Sequence, residues 1–303
     1  MPAEFRNEPL TDFSNPENRK AFEAALARVR KELGREHPLV IGGEKVRVGK
    51  TFDSLNPSQP SEVIGRFQAA TTREAEMAVQ AAAKAFETWK RETPQRRADI
   101  LFRTAAILRE KKHEFSSWMV LETGKTWPEA DGDTAEAIDF CEFYAREALR
   151  YGSEQPITPI PTERNELRYI PLGVGLAIPP WNFPLAIMAG MTVAAAVTGN
   201  TVVLKPSSDA PAIASRFLQA LSTAGDATLH GCRTSGGWVL REARHVGGEV
   251  PVGALWDGRW RVTGPEGRVR ALGDAGLRAC PDWRKTGLPR GVLAVTPGVW
   301  QGE

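Results

Sequence analysis

The chain contains 303 residues, of which 42% are hydrophobic and 25% charged, and its formal net charge is +2. This length fits one large domain or two smaller globular domains, and so small a net charge gives no argument for a nucleic-acid or membrane surface. Residues 1–15 are polar and interrupted by prolines, unlike a secretory signal, so we expect a cytoplasmic protein.

The three cysteines, Cys141, Cys232 and Cys280, are odd in number and far apart. They provide no disulfide framework and suit a reducing compartment, so free thiols are expected. The histidines and cysteines also lack the paired short spacings of a zinc site, and we predict no bound metal. Small and polar residues interrupt the most apolar stretch, residues 185–204, which predicts a buried core segment and no membrane partner.

The first predicted helix has Asn15 or Ser14 as its N-cap and Pro16 in its first turn. Apolar residues then recur at helical spacing. A strand-and-turn region follows, in which residues 39–41 lead into two glycines and residues 46–52 alternate like a half-buried strand.

Helices dominate the next part of the chain. A tract that starts at Thr72 carries early acidic residues and then apolar residues at helical spacing as far as Trp89. Further helices are predicted over residues 95–112, 114–124 and 129–151.

From Leu167 onward the pattern changes to short apolar runs separated by turns. Val174–Ile178 and Thr201–Leu204 are predicted to be buried strands, with a helix of small residues over 188–197 between them. Such a unit builds a parallel sheet, which binds ligands outside the carboxyl ends of its strands. A helix over residues 210–221 begins a second crossover.

The composition changes near residue 222. Every phenylalanine, tyrosine and isoleucine lies before this point, whereas the tail takes its aromatic residues from tryptophan and its basic residues from arginine, apart from Lys285. We therefore predict two segments of different origin, residues 1–222 and 223–303.

Four motifs carry a family resemblance. Residues 179–184 read PPWNFP and residues 199–208 read GNTVVLKPSS, and in order and spacing they resemble the signatures of aldehyde dehydrogenases. Residues 122–127 (ETGKTW) and 135–140 (AEAIDF) are similar to the pyrroline-5-carboxylate subgroup. The resemblance implies an α/β fold: an incomplete aldehyde-dehydrogenase Rossmann-like domain with N-terminal helices, followed by a small mixed α/β or β-rich C-terminal segment.

The resemblance implies a catalytic role for Asn182. When a thiolate attacks an aldehyde, negative charge develops on oxygen, and a fixed amide donor stabilises this charge with little reorganisation. The alternative for Asn182 is a purely structural role in the turn that follows a strand.

The resemblance also implies a nicotinamide cofactor bound by Ile178, Pro179, Trp181, Lys205 and Ser208. Lys205 follows a predicted strand, where a long cation reaches a ribose or a phosphate. Many relatives carry a glutamate at the position of Ser208, where a carboxylate binds ribose hydroxyls and repels a 2'-phosphate, so NAD and NADP both stay open. The alternatives are a surface role for Lys205 and core packing for Ile178 and Trp181.

Glu136 and Phe183 match the positions that border the small-molecule aldehyde substrate in the subgroup. For Glu136 the alternative is a solvated helix face. The implied reaction is the NAD(P)-dependent oxidation of L-glutamate γ-semialdehyde to glutamate in proline catabolism. Members of the family form oligomers, and the sequence leaves open whether this chain does so.

The family's nucleophile is a cysteine in a glycine-glutamine loop, and its general base is a glutamate in a glutamate-leucine-glycine-glycine strand. Neither motif occurs in the sequence. Without a thiolate there is no thiohemiacetal from which a hydride can leave, so we expect little or no turnover by this chain. Cys141 falls in a helical pattern and is predicted to be a core residue.

The tail resembles the C-terminal domain of bacterial tRNA(Ile)-lysidine synthetase in segments such as residues 255–260 (LWDGRW) and 287–290 (GLPR). Arginine with interleaved tryptophan suits contacts to a nucleic-acid backbone and stacking on bases, so weak tRNA binding is a second interpretation. A hairpin is predicted around the turn at residues 264–267. The alternative origins of the tail are a joined gene fragment and a translated wrong frame.

Overall fold

The computed structural model describes residues 3–225 together with short strand segments between residues 232 and 300. The chain divides into two compact units, Met1–Gly237 and Trp238–Glu303. The predicted boundary between residues 222 and 223 stays a prediction.

The first unit contains seven helices and eight strands among its described residues. The helices are α1 (Pro16–Arg30), α2 (Thr72–Trp89), α3 (Pro94–Glu110), α4 (Lys112–Thr123), α5 (Trp127–Gly152), α6 (Ala186–Val197) and α7 (Pro211–Ala224). The strands are β1 (Arg35–His37), β2 (Leu39–Ile41), β3 (Glu44–Val46), β4 (Thr51–Asn56), β5 (Gln59–Gln68), β6 (Val174–Ala177), β7 (Thr201–Leu204) and β8 (Cys232–Arg233).

The helix starts follow the capping residues in the sequence. The Asn15 side chain accepts the backbone N–H of Glu17 at 2.9 Å, which confirms Asn15 as the N-cap of α1. A capping box between Thr126 and Glu129 begins α5. Within the described part of the chain, no helix is both long and apolar enough to cross a membrane.

The main core lies where α3, α4, α5, α6 and α7 pack against one another. Trp118, Leu101, Ile138 and Phe217 are among its fully buried side chains. Removing such apolar surface from water is the dominant favourable contribution to folding.

Two small sheets are formed by strands that precede these helices in the chain. In the first, β2 and β3 form an antiparallel hairpin whose turn residues, Gly42 and Gly43, have φ angles of +60° and +91°. A two-residue turn of this kind needs positive φ at both positions, which glycine adopts without strain. In the second sheet, β5 pairs with β4 in antiparallel fashion and with β1 in parallel fashion. Strand β5 was not predicted from the sequence, because Pro60 and Gly65 weaken its strand pattern.

The parallel sheet has the strand order β6-β7-β8. Val174 pairs with Thr201 and Ala177 with Leu204, which confirms the predicted strand, helix, strand unit. The expectation that β6 is buried was wrong, because Val174 and Leu176 are 39% and 56% exposed. Side chains two residues apart share one face of a strand, and this face of β6 is open among the described residues.

The described segments of the second unit are strands: β9 (Val250–Pro251), β10 (Leu255–Trp256), β11 (Trp260–Arg261), β12 (Arg268–Ala271) and β13 (Pro297–Trp300). The hairpin predicted around residues 264–267 was wrong, because β11 pairs with β10 while β12 pairs with β9 and β13. The connection between β10 and β11 is shorter than the one between β11 and β12, and a shorter loop closes at a smaller entropic cost.

Candidate functional site

The carboxyl ends of β6 and β7 meet at one edge of the parallel sheet. The backbone N–H of Lys205 donates to the carbonyl oxygen of Ala177 at 2.9 Å, so Lys205 leaves the sheet beside the start of the segment 178–185. Asn182 lies in this segment, and the structure therefore brings the two predicted motifs to the same edge. Ligands of open parallel sheets bind at this edge.

The aromatic residues on either side of Asn182 face outward. Trp181 is 56% exposed and Phe183 is 41% exposed, and Asn182 itself is exposed. Pro179 is buried and Ile178 is half-buried, so these two residues anchor the beginning of the segment. Core packing for Trp181 is ruled out by its exposure, whereas its contact with a cofactor stays a prediction.

A buried carboxylate fixes the end of this segment. Asp133, on α5, accepts the backbone N–H of Ala186 at 2.7 Å through Oδ1, and the ammonium nitrogen of Lys125 lies 3.2 Å from Oδ2. Burial raises the pKa of Asp133, whereas the Ala186 N–H and the Lys125 ammonium act in the opposite direction. The sequence alone does not single out Asp133, since its partner lies 53 residues away.

The two predicted substrate residues, Phe183 and Glu136, lie on the two elements that Asp133 joins, the segment 178–185 and helix α5. The Lys125 ammonium is 4.2 Å from the centre of the Phe183 ring, within the range of a cation–π contact. Glu136 is exposed and follows Asp133 on α5 by just under one turn, and its charge raises the pKa of Asp133 further. Their proposed contact with substrate stays a prediction.

The Lys205 motif leads into helix α7. Lys205 is half-buried and Ser208 is exposed, and Ser207 and Asp209 exchange hydrogen bonds at 3.2 Å in the turn between them. This turn presents Ser208 to solvent at the sheet edge. A hydroxyl at this place accommodates either a ribose hydroxyl or a phosphate, so the geometry fits both cofactors.

The N-terminus of α7 is held by a second buried carboxylate. Glu122, which is 3% exposed, accepts the backbone N–H groups of Ala212 and Ile213 at 2.6 Å and 2.9 Å. The Ser54 hydroxyl donates to the same carboxylate at 3.0 Å. Glu122 opens the motif at residues 122–127 and therefore supports the Lys205 turn from the neighbouring helix α4.

The amino end of the sheet is fixed by Asn200. Its side-chain oxygen accepts the backbone N–H groups of Leu172 and Gly173 at 2.6 Å and 3.0 Å. Asn200 therefore sets the register of β6 against β7, which decides where the two carboxyl ends meet. In the sequence, Asn200 is one residue of the motif at 199–208, and its residue type alone predicts no separate role.

Cys141 is confirmed as a core residue. It is fully buried, and burial raises the pKa of its thiol to about 12. A thiol with so high a pKa is protonated at neutral pH and is no nucleophile. Cys280 lies outside the described residues, and of Cys232 only the backbone, in β8, is described.

A cavity of about 980 Å³ lies apart from these motifs, between α3, α5, the end of α6 and the segment 153–171. Its lining includes Arg97, Tyr144, Tyr151 and Tyr169, and none of the predicted site residues.

A sequence profile of the Aldehyde dehydrogenase family matches residues 45–227. The chain belongs to the aldehyde dehydrogenase family. It is similar to the 1-pyrroline-5-carboxylate dehydrogenase of Geobacillus kaustophilus, with 56% identity over 73% of this chain and 43% of that protein. The corresponding protein of Bacillus pumilus is 54% identical over 74% of this chain and 44% of its own length.

Solved structures of this family are similar to the first unit. The 1-pyrroline-5-carboxylate dehydrogenase from Thermus with bound NAD matches with a TM-score of 0.74 and 45% identity, over 78% of this chain and 46% of that chain. The Mycobacterium tuberculosis enzyme bound with NAD matches with a TM-score of 0.71 and 30% identity, over 78% and 45% of the two chains. The chain thus spans less than half the length of these relatives, and the family match ends at residue 227.

Proposed function

We propose that residues 1–222 are the cofactor-binding part of a dehydrogenase that oxidises L-glutamate γ-semialdehyde to glutamate with NAD or NADP. The observation that carries the proposal is the meeting of the Asn182 and Lys205 motifs at the carboxyl edge of one parallel sheet. It is supported by relatives that are themselves 1-pyrroline-5-carboxylate dehydrogenases, one of them with NAD bound.

The cofactor would lie against the segment 178–181 and the Lys205 turn. When bound, a nicotinamide accepts the hydride that leaves the substrate carbon. In this proposal the Lys205 ammonium binds the adenosine ribose, and Ser208 leaves room for a ribose hydroxyl or a phosphate. Trp181 covers the cofactor from the exposed side of the segment.

The Asn182 amide would donate to the oxygen that becomes negatively charged during addition to the aldehyde. A donor held in place before the reaction stabilises this charge without reorganisation. Phe183 and Glu136 would border the rest of the substrate, with the Glu136 carboxylate suited to an ammonium group.

For this chain itself we propose cofactor binding with little or no turnover. Cys141 is buried and its thiol has a raised pKa, while Cys232 and Cys280 lie in sequence contexts unlike the family's nucleophile loop. An assay of the purified chain with glutamate semialdehyde and NAD tests this. NAD reduction that is abolished by replacing one of the three cysteines would contradict the proposal.

Titration calorimetry with NAD and NADP tests the binding site. Lys205→Ala should weaken NAD binding by about tenfold or more, because one charge-assisted hydrogen bond contributes roughly 1.5–3 kcal/mol. Lys20→Ala is the matched control, since Lys20 is exposed on α1. Absence of measurable binding by the unaltered chain, or an equal loss in both variants, would rule out this site.

For residues 223–303 we propose weak tRNA binding as a second function, supported by the arginine and tryptophan usage of this segment. Phosphate contacts release counterions, so binding of tRNA to the full chain should fall steeply with added salt. Replacing Arg259 and Arg261 together by alanine should weaken it. Binding that is absent at low salt, or insensitive to salt, would exclude this function. Sequencing of the source DNA across codons 215–235 tests whether the junction between the two segments is real.

A further inference from the structure

We propose that the buried ion pair between Lys125 and Asp133 is a positioning device for the segment that carries Asn182 and Phe183. The inference rests on the proposed function in one respect, which is that this segment binds cofactor and substrate. The positioning itself rests on contacts within the described chain.

Helix α6 begins without a cap of its own. Its N-cap residue is Leu185, whose apolar side chain accepts no hydrogen bond, so the first N–H group of the helix needs another acceptor. Asp133 supplies it from α5, with its Oδ1 atom 2.7 Å from the backbone nitrogen of Ala186. Asp133 therefore decides where the segment ends and the helix starts.

The backbone of the segment is coupled directly to this cap. The Phe183 carbonyl oxygen accepts the backbone N–H of Ile187 at 3.2 Å, so Phe183 already belongs to the first turn that Asp133 fixes. A shift of this turn moves Phe183 and, with it, the adjacent Asn182. Displacements of about 1 Å at such a position are enough to lower catalysis severely.

Lys125 holds the segment through a second set of contacts, and it lies on a third element of the fold. It follows Gly124, which ends α4 with a φ angle of +71°, and so lies in the turn between α4 and α5. Its ammonium contacts both the Asp133 carboxylate at 3.2 Å and the face of the Phe183 ring at 4.2 Å. One cation thus joins the buried acid to the aromatic side chain next to Asn182.

Because this ion pair is buried, the removal of one partner should disrupt the structure around it. The side chains of Lys125 and Asp133 are 12% and 0% exposed. Removing one partner of a buried pair leaves the other charge without compensation, which is far more disruptive than the loss of a surface pair.

The chain offers a closely matched control pair. Lys112 and Asp131 lie 2.9 Å apart with side chains 10% and 1% exposed, and Asp131 is two residues before Asp133 on α5. This pair instead holds the N-terminal segment, because Asp131 accepts from Thr11 and the Lys112 ammonium donates to the Pro9 carbonyl oxygen. Its removal disturbs an equally buried charge without touching the Asn182 segment.

Amide hydrogen exchange of the full chain, followed by mass spectrometry, tests the inference. Lys125→Met and Asp133→Asn should raise exchange in residues 183–187 by about tenfold. Lys125→Met leaves the buried Asp133 carboxylate without its compensating charge, and Asp133→Asn replaces the charge-assisted hydrogen bond to Ala186 with a weaker neutral one, so the first turn opens more often. Lys112→Met and Asp131→Asn should leave this segment unchanged and speed exchange in residues 5–13 instead. Lys125→Arg, which keeps the cation, should restore exchange to within about threefold of the unaltered chain.

The NAD dissociation constant separates this inference from the proposed function. It should rise in Lys125→Met, recover in Lys125→Arg and stay unchanged in Lys112→Met. If the unaltered chain binds no NAD, the proposed function fails, and the exchange data alone decide the positioning role. Exchange in residues 183–187 that is unaffected by Lys125→Met, or raised equally by Lys112→Met, overturns the inference. Should Lys125→Met fail to fold, the comparison of Asp133→Asn with Asp131→Asn decides in the same way.

Discussion

The carboxylate of Glu122 accepts the backbone N–H of Ala212 at 2.6 Å, although the two residues are 90 positions apart in the chain. Helix α7 begins with Ala210 at its N-cap, which has no side-chain acceptor. The same arrangement recurs at α6, where Asp133 accepts the backbone N–H of Ala186, the residue after the N-cap Leu185. Both helices that follow the two motif segments are therefore capped by a buried acid from another helix, and a negative charge there also complements the helix dipole.

Glu122→Ala should destabilise the first unit by about 2 kcal/mol or more, since the hydrogen bonds from Ser54, Ala212 and Ile213 are lost and their donors stay buried. Urea denaturation measures the change. Glu129→Ala is the matched control, because Glu129 completes an exposed capping box at the start of α5, and its loss should cost about 1 kcal/mol or less. An effect of Glu122→Ala no larger than that of Glu129→Ala would contradict the capping role.

The sequence predicted the local elements but not the contacts between residues that are far apart in the chain. Asn15 and the apolar periodicity place the helices because caps and faces are properties of neighbouring residues. Asp133 and Glu122 carry no such signal, since an acid in a helix is usually solvated and their partners are backbone groups far along the chain. Burial was also misjudged for β6, because an apolar run does not reveal which of its faces another element covers.

The family motifs determined which segments meet, but not how they are held. The paired strands 174–177 and 201–204 follow from the order of the apolar runs and the helix between them. Asn200 was read only as part of a motif, whereas it sets the strand register through two backbone N–H groups. Such roles depend on three-dimensional contacts that residue type alone does not specify.

Ser208→Glu should turn the cofactor preference toward NAD. A carboxylate at this exposed position binds ribose hydroxyls and repels a 2'-phosphate, so NADP affinity should fall by about tenfold or more while NAD affinity holds or rises. Titration of both cofactors against the unaltered chain and the variant measures the ratio. Ser222→Glu, further along α7, is the control for added charge, and an equal shift in the ratio there would exclude a local contact.

His113→Gln should reduce the loss of stability on acidification. Burial holds the pKa of His113 below its ordinary value of 6.5, and Lys112 and Arg28 act in the same direction while Asp131 opposes them. The unfolded chain therefore takes up a proton first as the pH falls through 6.5, so folding stability that is present above this pH is lost below it.

Urea midpoints at pH 7 and pH 5 measure this difference, since the glutamine variant lacks the titrating group. The midpoint of the unaltered chain should fall by more than that of His113→Gln. Equal falls in both proteins would show that His113 does not contribute to the acid sensitivity.

Gly132→Ala should stabilise the first unit, whereas Gly199→Ala should destabilise it. Gly132 lies inside α5, and apart from its chain neighbours and the backbone of its own helix no described atom comes within 4 Å of the position that an added Cβ takes. Alanine there lowers the entropy of the unfolded chain and favours the helix, which is worth about 0.5–1 kcal/mol. Gly199 opens the motif at residues 199–208 with a φ angle of +94°, and a Cβ there comes within 2.8 Å of Pro171.

Alanine at position 199 therefore combines an unfavourable backbone conformation with a clash, and a loss of about 1–3 kcal/mol is expected. Thermal or urea unfolding of both variants measures the two changes, which should have opposite signs. Because Gly199 directly precedes Asn200, its variant should also speed amide exchange at Leu172 and Gly173, which donate to the Asn200 side chain. A neutral Gly199→Ala would mean that the turn before β7 tolerates a side chain and does not fix the register of the sheet.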